Sequence, residues 1–483
     1  MNPTAGQPLY QQLYEGIRSA ILSGRLAGGT RLPSTRALAQ ELGLSRSTVI
    51  NAFDQLLAEG YVYGLHGSGT YVARVLPDEL LRAQPEQQRR LPASERDGAI
   101  SRRGAALADL PGLAASDQLG ERAFQVGLPA IDEFPRKLWG QALARCWRAA
   151  PDLLGYQHPA GYLPLRQAIA AHVTTARGVR CIAEQVIVTA GSQQGLALAA
   201  QVLLDPGDAA WIEDPGYMGA RAALLAAGAR LVTVPIDSAG LDLAAGLERH
   251  ASPRLVYVTP SHQFPLGVTM SLARRLALLE WAAKAGAWLI EDDYDSEFHY
   301  AGRPLPALQG LDSAGRVIYI GTFSKVLFPA LRLGYLIAPP GLVGAFLSAR
   351  SAAGTHSPAL EQAVLAEFMR VGHFARHIRR MRALYAERQV ILLDAAARDL
   401  VGLLDLQPST TGMHLLGWLP ARVDDREAAT RAAAAGVQAM PLSRLRIEPD
   451  ERGALLLGYA AADERAIRES VRRLAGALHM LSR

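Results

Sequence analysis

Apolar residues recur every three to four positions through residues 9–58, which is the period of helices that bury one face. The pattern predicts three helices and a hairpin: helices that end at Ser23-Gly24 and that span Thr35–Leu42 and Arg46–Ala58, and strands over Tyr61–Tyr63 and Thr70–Val72. Ser34 and Ser45 stand directly before the second and third helices, where a hydroxyl caps free backbone N–H groups. Two short helices joined by a tight turn are typical of a helix-turn-helix, and the hairpin would be its wing.

The third helix carries groups that suit a nucleic acid. It opens with Arg46, Ser47 and Thr48, whose guanidinium, hydroxyls and free N–H groups can meet phosphates and base edges. Arg36, at the start of the second helix, can reach a flanking phosphate. Residues 1–75 hold six arginines against four acids, so a small helical module for protein contacts stays open as an alternative.

From about residue 121 onward, short β-rich runs alternate with Ala/Leu-rich helical patterns. Strands are predicted over Gln185–Thr189, Arg254–Thr259, Trp288–Asp292, Val317–Gly321 and Leu331–Tyr335, with a helix over Ser271–Ala285. This alternation predicts an α/β domain with a mostly parallel sheet covered by helices. Strands over Met413–Leu419 and Ala454–Ala460 and a helix from Asp463 predict a smaller α+β lobe, at about 360–483. The predicted domains are therefore 1–75, a linker over 76–120, and 121–483.

Composition narrows the class of protein. The chain has 483 residues, of which 49% are hydrophobic and 20% charged, so we expect a globular protein of several domains. The two cysteines lack metal-type spacing, and no leader or spanning segment is evident, so we expect no metal site, no membrane association and a cytoplasmic location. The net charge of +5 gives little support for nucleic-acid binding. Only three of the 50 basic residues are lysines, Lys137, Lys284 and Lys325.

Lys325 has the sequence context of a reactive amine. It follows the predicted strand Val317–Gly321 in a polar turn, and open α/β sheets bind ligands at such strand ends. An amine there can form a Schiff base with an aldehyde cofactor, which a guanidinium cannot do. Arg332 is predicted to open the next strand, Leu331–Tyr335, and to offer a two-pronged contact to a phosphate.

Two more predicted strand ends carry candidate ligand-binding residues. Gly191, Ser192 and Gln193 follow the strand Gln185–Thr189 and open a helix, so their N–H groups and the serine hydroxyl can cradle an anion. The spacing matches neither a dinucleotide fingerprint nor a Walker motif, which disfavours a nucleotide. Tyr217 follows another strand, where it can stack on a flat ring or pack in the core.

The run Asp292-Asp293-Tyr294-Asp295 closes a further strand. A metal cluster is the alternative for an acidic run, but no histidine lies nearby at ligand spacing. A carboxylate held against a pyridinium nitrogen explains the run better, because the anion keeps the ring nitrogen protonated. The opposite charge would in turn lower the carboxyl pKa, so we expect Asp292 to stay ionised.

The string PLYQQLYEGIRSAILSGRLAGGTRLPSTRALAQELGLSRSTVINAFDQLLAEGYVYGLHGSGTYV resembles the winged-helix domain of GntR-type bacterial regulators over its full length. The resemblance implies that the protein binds double-stranded DNA through Arg36, Arg46, Ser47 and Thr48. It also implies that His66 and Gly67 lie at the wing tip in the minor groove.

The motifs GSQ, DPGY, TPSHQFPLG, DDYDSEF and TFSK, the last followed by Arg332, resemble fold-type-I aminotransferases over residues 121–483. This resemblance implies the cofactor pyridoxal 5'-phosphate, joined covalently to Lys325, with Asp292 at the ring nitrogen. It implies that Tyr294 donates to the phenolic oxygen and that Tyr217 stacks on the ring. The implied phosphate ligands are Gly191, Ser192, Gln193, Thr322 and Arg332, with Tyr156 contributed by the neighbouring subunit.

Two positions depart from the aminotransferase pattern. Phe264 stands where an asparagine would bind the phenolic oxygen, so His262 or Gln263 is expected to substitute. Leu456 stands where an arginine would bind the substrate carboxylate, which disfavours turnover of amino acids. Arg444 and Arg446 are the nearby candidates to supply that charge.

A winged helix joined to an aminotransferase-like domain resembles the MocR subfamily of GntR regulators. The resemblance implies a head-to-tail homodimer whose cofactor domain senses an amine or amino-acid effector, or pyridoxal phosphate itself, and alters DNA binding. An aminotransferase with an accessory DNA-binding domain, and a regulator with no cofactor, are the alternatives. Enzyme-like turnover of amino acids and keto acids would favour the first of them.

Overall fold

The computed structural model describes residues 7–65, 68–76, 100–110, 123–149, 151–302, 304–421, 423–449 and 452–481. The chain divides between Ala99 and Ile100 into two compact units. Each unit has its own hydrophobic core.

The first unit contains helices α1 (Leu9–Leu22), α2 (Thr35–Leu42) and α3 (Arg46–Ala58) and the hairpin strands β1 (Val62–Leu65) and β2 (Gly69–Val72). The predicted bounds of α2 and α3 are confirmed, because both helices begin at local caps. Ser34 Oγ accepts the Ala37 N–H at 3.2 Å, and Ser45 Oγ accepts the Thr48 N–H at 3.1 Å. Buried Leu13, Val49 and Phe53 pack between the helices.

The second unit has helices α4 (Arg102–Ala108), α5 (Arg136–Ala149), α6 (Leu163–Arg177), α7 (Ser192–Leu203), α8 (Met218–Ala226), α9 (Leu243–Arg249), α10 (Leu272–Ala285), α11 (Leu308–Leu311), α12 (Val343–Ala352), α13 (Ala359–Arg370), α14 (His373–Asp399), α15 (Asp425–Ala434) and α16 (Glu464–His479). Its strands are β3 (Val186–Thr189), β4 (Ala209–Asp214), β5 (Arg230–Asp237), β6 (Gly240–Leu241), β7 (Leu255–Val258), β8 (Trp288–Asp293), β9 (Val317–Thr322), β10 (Gly334–Ile337), β11 (Asp405–Leu406), β12 (His414–Trp418), β13 (Met440–Pro441) and β14 (Ala454–Gly458).

The large sheet of the described residues has eight strands in the order β3-β10-β9-β8-β7-β4-β5-β6. Strands β9, β8, β7, β4 and β5 run parallel, whereas β10 is antiparallel to both of its neighbours. The side chains of β4, β7, β8 and β9 are almost all buried, as is typical of parallel strands that helices cover on both faces. The predicted α/β class is confirmed, and the parallel strands deliver their polar carboxyl ends to one edge.

The smaller sheet, in the order β11-β12-β14-β13, packs with α14, α15 and α16 around a second apolar core. The predicted strands near residues 413–419 and 454–460 are confirmed at β12 and β14. Asp463 caps α16 by accepting the Ala466 N–H at 2.7 Å, at the predicted start of that helix.

Residues 102–108, which the sequence pattern assigned to the linker, form α4. Ser101 caps this helix by accepting the Gly104 N–H at 3.1 Å, and Arg103 donates to the carbonyl of Ala226 at the end of α8 at 3.4 Å. This helix therefore packs as part of the second unit. Within the described residues, no helix combines the length and apolarity that crossing a membrane requires.

Candidate functional site

A cavity of about 320 Å³ lies at the carboxyl ends of β7, β8 and β9. The predicted site residues that line it are Gly191, Ser192, Gln193, Tyr217, Asp292, Tyr294, Thr322, Lys325 and Arg332. They come from separate strand ends and are brought together by the parallel sheet. Of the described residues predicted for this site, Tyr156 and His262 do not line the cavity.

Lys325 directs its amine into this cavity from the turn after β9. Its Nζ donates to the carbonyl of Gly127 at 2.9 Å. Burial lowers the pKa of the amine, against the opposing influence of the Asp295 and Asp292 carboxylates. A lowered pKa raises the fraction of neutral amine, which is the nucleophilic form that attacks an aldehyde.

Asp292, at the end of β8, is buried, and only one of its two carboxylate oxygens has a hydrogen-bond partner. Tyr257 donates to its Oδ2 at 2.9 Å, whereas the buried Oδ1 has no hydrogen-bond partner in the described residues. Burial raises the pKa of this carboxyl to about 7, although the hydrogen bond from Tyr257 opposes the shift. A pyridinium nitrogen would shift the pKa in the opposite direction, so the ionised carboxylate stays a prediction for the site with its cofactor bound.

The next residue on β8, Asp293, has the opposite environment. Its Oδ2 accepts from Arg177 Nε at 2.9 Å and from the Tyr319 hydroxyl at 2.6 Å. The pKa of Asp293 is lowered despite its burial, because Arg177 lies against it. Asp293 is thus paired with Arg177, whereas Asp292 makes no ion pair among the described residues and has only the more distant amine of Lys325 to lower its pKa.

The N-terminus of α7 forms an anion-binding end of the cavity. Gly191 caps the helix with φ of +100°, and a Cβ placed there would lie 3.7 Å from the Arg332 guanidinium. Among the described residues, that guanidinium makes no hydrogen bond or ion pair. Unpaired helix N–H groups beside a free guanidinium are a phosphate-binding arrangement.

Arg332 itself corrects one prediction. It does not open a strand: it ends a short 3₁₀ turn, Pro329–Leu331, with φ of +49°, and β10 begins at Gly334. The Leu-Arg-Leu alternation resembles a strand, but the left-handed backbone here breaks it. Such a conformation is uncommon for a residue other than glycine and is strained by about 1–3 kcal/mol.

Besides Tyr257, three aromatic side chains line the cavity. Phe264 lies edge-on to Tyr217 and Tyr294, with ring centroids 6.0 Å and 6.1 Å away. The Tyr217 hydroxyl donates to Gln193 Oε1 at 3.4 Å, and the Tyr294 hydroxyl lies 3.0 Å from His262 Nδ1. Phe264 cannot donate a hydrogen bond to a cofactor oxygen, so Tyr294 is the polar group beside it.

His262 lies behind Tyr294 and not in the cavity wall, contrary to the expectation that it replaces the missing asparagine. Its Nδ1 is 2.9 Å from Asp295 Oδ2, and the ring is buried. Gln263, the other candidate, donates to the carbonyl of Pro215 at 2.9 Å and does not line the cavity either. Both residues support the cavity from a second layer.

Sequence reasoning missed several lining residues. Besides Tyr257, these are Val126, Gly127, Thr259, Pro329, Met413, His414 and Met440. Tyr257 lies within an apolar run that predicts a strand, so the sequence gives it the context of a core residue. The others come from segments far apart in the sequence, and only Thr259, directly after β7, carries the strand-end signal used elsewhere.

Leu456, at the position expected for a carboxylate-binding arginine, is fully buried on β14. It pairs across the sheet with Leu416 and Met440. Neither Arg444 nor Arg446 lines the cavity, although both are among the described residues. Arg446 instead donates to the carbonyl of Arg452 at 3.1 Å.

Tyr156, predicted to act in the neighbouring subunit, is 95% exposed in the single chain. Its contact in this chain is an edge-on approach to His356, with centroids 6.2 Å apart. The position leaves the phenol accessible to a second subunit.

The cavity fits pyridoxal phosphate on three observations. The amine of Lys325 meets the requirement for an aldehyde partner, and the unpartnered Asp292 Oδ1 meets that for a protonated ring nitrogen. Arg332, next to the N-terminus of α7, suits the phosphate. No group of three or more His, Cys, Asp or Glu in the described residues is arranged to hold a metal ion.

The first unit presents the predicted DNA-contacting residues at its surface. Arg36, Arg46 and Ser47 are exposed, and Thr48 is half-buried. Ser45 Oγ, besides capping α3, lies 2.9 Å from Ser47 Oγ and 2.7 Å from Thr48 Oγ1. His66 and Gly67, predicted for the wing tip, lie outside the described residues.

Comparison with known proteins assigns a family to each unit and finds relatives that are similar over nearly the whole chain. The family of bacterial regulatory proteins named gntR matches residues 9–72, and aminotransferase class I and II matches residues 128–474. The chain is 43% identical to the probable rhizopine catabolism regulatory protein MocR of Rhizobium meliloti, covering 98% of this chain and 94% of that protein. It is 36% identical to the HTH-type transcriptional regulator TauR of Rhodobacter capsulatus, covering 97% and 96% respectively.

Among solved structures, the second unit is similar to the α-aminoadipate aminotransferase LysN of Thermus thermophilus, in complex with N-(5'-phosphopyridoxyl)-L-leucine. The TM-score is 0.73 at 31% identity, covering 80% of this chain and 99% of that one.

Proposed function

This chain belongs to the MocR subfamily of GntR-type transcriptional regulators, and on that premise we propose that its aminotransferase-like domain is a sensor rather than an enzyme. The protein is a pyridoxal-phosphate-dependent, DNA-binding transcriptional regulator. The proposed effector is an amine or amino acid, or pyridoxal phosphate itself. To change DNA binding, the effector must bind two protein conformations with different affinity.

The observation that carries the proposal is the partly satisfied polar set in one cavity. Lys325 holds a half-buried amine of lowered pKa, Asp292 holds a buried oxygen without a hydrogen-bond partner, and the exposed guanidinium of Arg332 makes no hydrogen bond or ion pair among the described residues. Buried polar groups are normally satisfied within the protein, so the open oxygen of Asp292, in one cavity with this amine and this guanidinium, indicates a ligand that completes it.

When bound, pyridoxal phosphate supplies an aldehyde that condenses with primary amines. We assign Lys325 to the aldehyde, Asp292 to the ring nitrogen, Tyr294 to the phenolic oxygen and Tyr217 to the ring face. His262 orients the Tyr294 hydroxyl, with which it is in hydrogen-bond contact. The assigned phosphate ligands are Gly191, Ser192, Gln193, Thr322 and Arg332, together with Tyr156 from the second subunit.

The proposal includes a head-to-tail homodimer in which Tyr156 of one subunit contacts the cofactor phosphate of the other; its exposure and its absence from the cavity of its own chain support this. In each subunit, Arg36, Arg46, Ser47 and Thr48 contact double-stranded DNA, and the wing tip at His66 and Gly67 enters the minor groove. Two half-sites then follow from the two recognition helices. Because the DNA target of a bacterial regulator is cytoplasmic, we also place the protein there. The proposed domain bounds are 1–75, 76–120 and 121–483, with α4 as the part of the linker that packs on the second unit.

Turnover is disfavoured by Leu456. An α-amino acid that lacks a two-pronged partner for its carboxylate is poorly oriented for proton transfer at its α-carbon. We therefore expect no enzyme-like rates from the purified protein with a panel of amino acids and keto acids. Such rates would support the alternative of an aminotransferase with an accessory DNA-binding domain.

The test is the covalent attachment at Lys325. Borohydride treatment of the purified protein with pyridoxal phosphate, followed by mass mapping, should leave a pyridoxyl group on the peptide that contains Lys325. The Lys325→Ala protein should lose this label, the absorbance near ~420 nm and any effect of amines on operator binding in a gel shift.

Lys284→Ala is the matched control, because Lys284 is an exposed lysine on α10 whose partner is Glu280 at 2.6 Å. That variant should keep all three properties. A label that persists in Lys325→Ala, or that maps to another lysine, would contradict the proposed sensor.

A further inference from the structure

We infer that the effector is a small primary amine that carries no carboxylate beside the amine. This inference rests on the proposed sensing function and names the class of ligand that the same cavity selects. It follows from one side of the cavity, the apolar wall, which we define as Val126, Phe264 and Met440. All three line the cavity.

The apolar wall is backed by more apolar side chains. Val126, Phe264 and Met440 pack in one cluster with the buried residues Leu442, Leu445, Ala454 and Leu456. Leu456 lies across the sheet from Met440. Leu456, the position at which an arginine would bind a substrate carboxylate, therefore packs behind the apolar wall.

A ligand amine directed at Lys325 lies close to this wall. The Nζ of Lys325 bonds to the carbonyl of Gly127, whose chain neighbour is Val126. The carbon that carries the ligand amine, and any group attached to that carbon, consequently lies next to apolar side chains. A carboxylate at that carbon would leave water without finding a cation there, and burial of an unpaired charge is strongly unfavourable.

The charged side chains of the cavity do not change this conclusion. Among the described residues, the lining contains three formal charges, on Asp292, Lys325 and Arg332. Arg332 stands beside Gly191 at the anion-binding end, where the cofactor phosphate requires it. The ligand amine would release Lys325 from the aldehyde, but burial lowers the pKa of Lys325 and so disfavours its charged form, and Asp292 would repel a carboxylate.

His414 also disfavours an anion. Burial lowers its pKa to about 3, with His262 acting in the same direction, so the ring is neutral at physiological pH. Its Nε2 lies 3.2 Å from the carbonyl of Pro265 and therefore carries the proton, which leaves Nδ1 as an acceptor. The neutral ring therefore supplies no positive charge to pair with a carboxylate.

The direct test compares matched pairs of ligands on the full-length protein loaded with pyridoxal phosphate. Each pair differs only by the carboxylate: 3-methylbutylamine with leucine, and ethanolamine with serine. Binding is measured by calorimetry and by the absorbance near ~420 nm, and operator affinity by gel shift. We expect at least one amine to bind about tenfold or more tightly than its amino acid and to change operator affinity.

A pair of variants at Met440 tests whether the apolar wall determines the preference for amines. Met440→Arg supplies a cation at the half-buried wall position and should reverse the preference toward the amino acid of each pair. Met440→Leu keeps the wall apolar and should keep the preference for amines. Retained absorbance of the bound cofactor in both variants verifies that the cavity is folded.

The outcomes separate this inference from the proposed function. If the cofactor maps to Lys325 but the amino acids bind as tightly as the amines, the inference is overturned and the sensor stands. If neither class binds and only pyridoxal phosphate alters operator affinity, the inference is overturned as well. If the cofactor does not map to Lys325, both fail.

Discussion

The two units of this regulator place their functional side chains in opposite environments. In the first unit, the residues assigned to DNA, Arg36, Arg46 and Ser47, are exposed to water. In the second unit, Lys325 and Asp292 act from inside a cavity where burial shifts the pKa of both groups toward the neutral form. DNA recognition therefore uses charges that water already stabilises, whereas the sensor uses groups whose burial opposes stability until a ligand completes them.

The same contrast is found between two neighbours on β8. Asp293 is paired with Arg177 and serves the fold, whereas Asp292 lacks such a partner and is available to a cofactor. Substitutions on this strand should therefore separate two effects. A change at Asp292 should impair cofactor binding without a loss of stability, and a change at Asp293 should lower stability without a loss of cofactor binding.

The largest expected effect is that of Asp292→Asn. The amide keeps the shape and can still accept from Tyr257, but it cannot pair with a protonated ring nitrogen. We expect the affinity for pyridoxal phosphate to fall about 100-fold. Equilibrium dialysis, with cofactor absorbance as the readout, measures this loss.

The same variant should stabilise the cofactor-free protein. Because the folded-state pKa of Asp292 is raised to about 7, the folded protein retains a proton that the unfolded chain releases. The stability of the natural protein therefore falls, relative to Asp292→Asn, as the pH rises from about 4 through about 7. By about pH 8 the variant should be more stable by about 2–4 kcal/mol in urea unfolding.

Asp293→Asn is the matched control on the same strand. It leaves Arg177 buried without its carboxylate and should destabilise the protein by about 3 kcal/mol. Its residual affinity for the cofactor, measured below the unfolding temperature, should stay near that of the natural protein. A loss of cofactor affinity equal to that of Asp292→Asn would break the comparison.

Arg46→Ala should act on the first unit alone. If Arg46 contacts a base, its loss weakens operator binding by about 1–3 kcal/mol and relaxes specificity at one position. Thermal unfolding and cofactor content should not change, because the side chain is exposed and remote from any buried charge. Gel-shift titrations against the operator and single-base variants provide the measurement.

Arg36→Ala sharpens this prediction, since Arg36 is assigned to a phosphate. It should weaken binding to all sequences alike and lower the salt dependence by about one charge. Identical specificity profiles for the Arg36 and Arg46 variants would remove the distinction between a base contact and a phosphate contact.

The smallest effect is expected from Ser45→Ala, which removes the cap of α3. The free Thr48 N–H should lower the stability of the first unit by about 1 kcal/mol. Hydrogen exchange of α3 amides detects this change. Cofactor binding should be unaffected. A change in cofactor affinity of about the same free energy would contradict the independence of the two units.

Local signals explain what the sequence could predict of the fold. The bounds of α2 and α3 follow from serine caps and glycine stops, and the ends of β8 and β9 follow from apolar runs that close on polar residues. The prediction failed at Arg332, where alternating leucines indicated a strand but the backbone takes a left-handed turn. It also missed α4, which is too short to show a clear period.

The polar part of the site was predictable because each motif follows a strand, and parallel strands bring their ends together. The apolar part was not. Val126 and Met440 come from segments more than half the chain apart, and an apolar residue in a loop or a short strand carries no chemical signal of its own. Tyr257 was hidden for a related reason, because its contact with Asp292 depends on the pairing of β7 with β8.

Gly127 is a position at which the backbone conformation affects the covalent attachment proposed for Lys325. Its φ of +73° favours glycine, and a Cβ there would stand 2.6 Å from the Nζ of Lys325. A side chain here would be strained by the backbone conformation and would push the amine of Lys325 aside. We therefore expect Gly127→Ala to weaken the response to ligand more than the operator binding of the first unit.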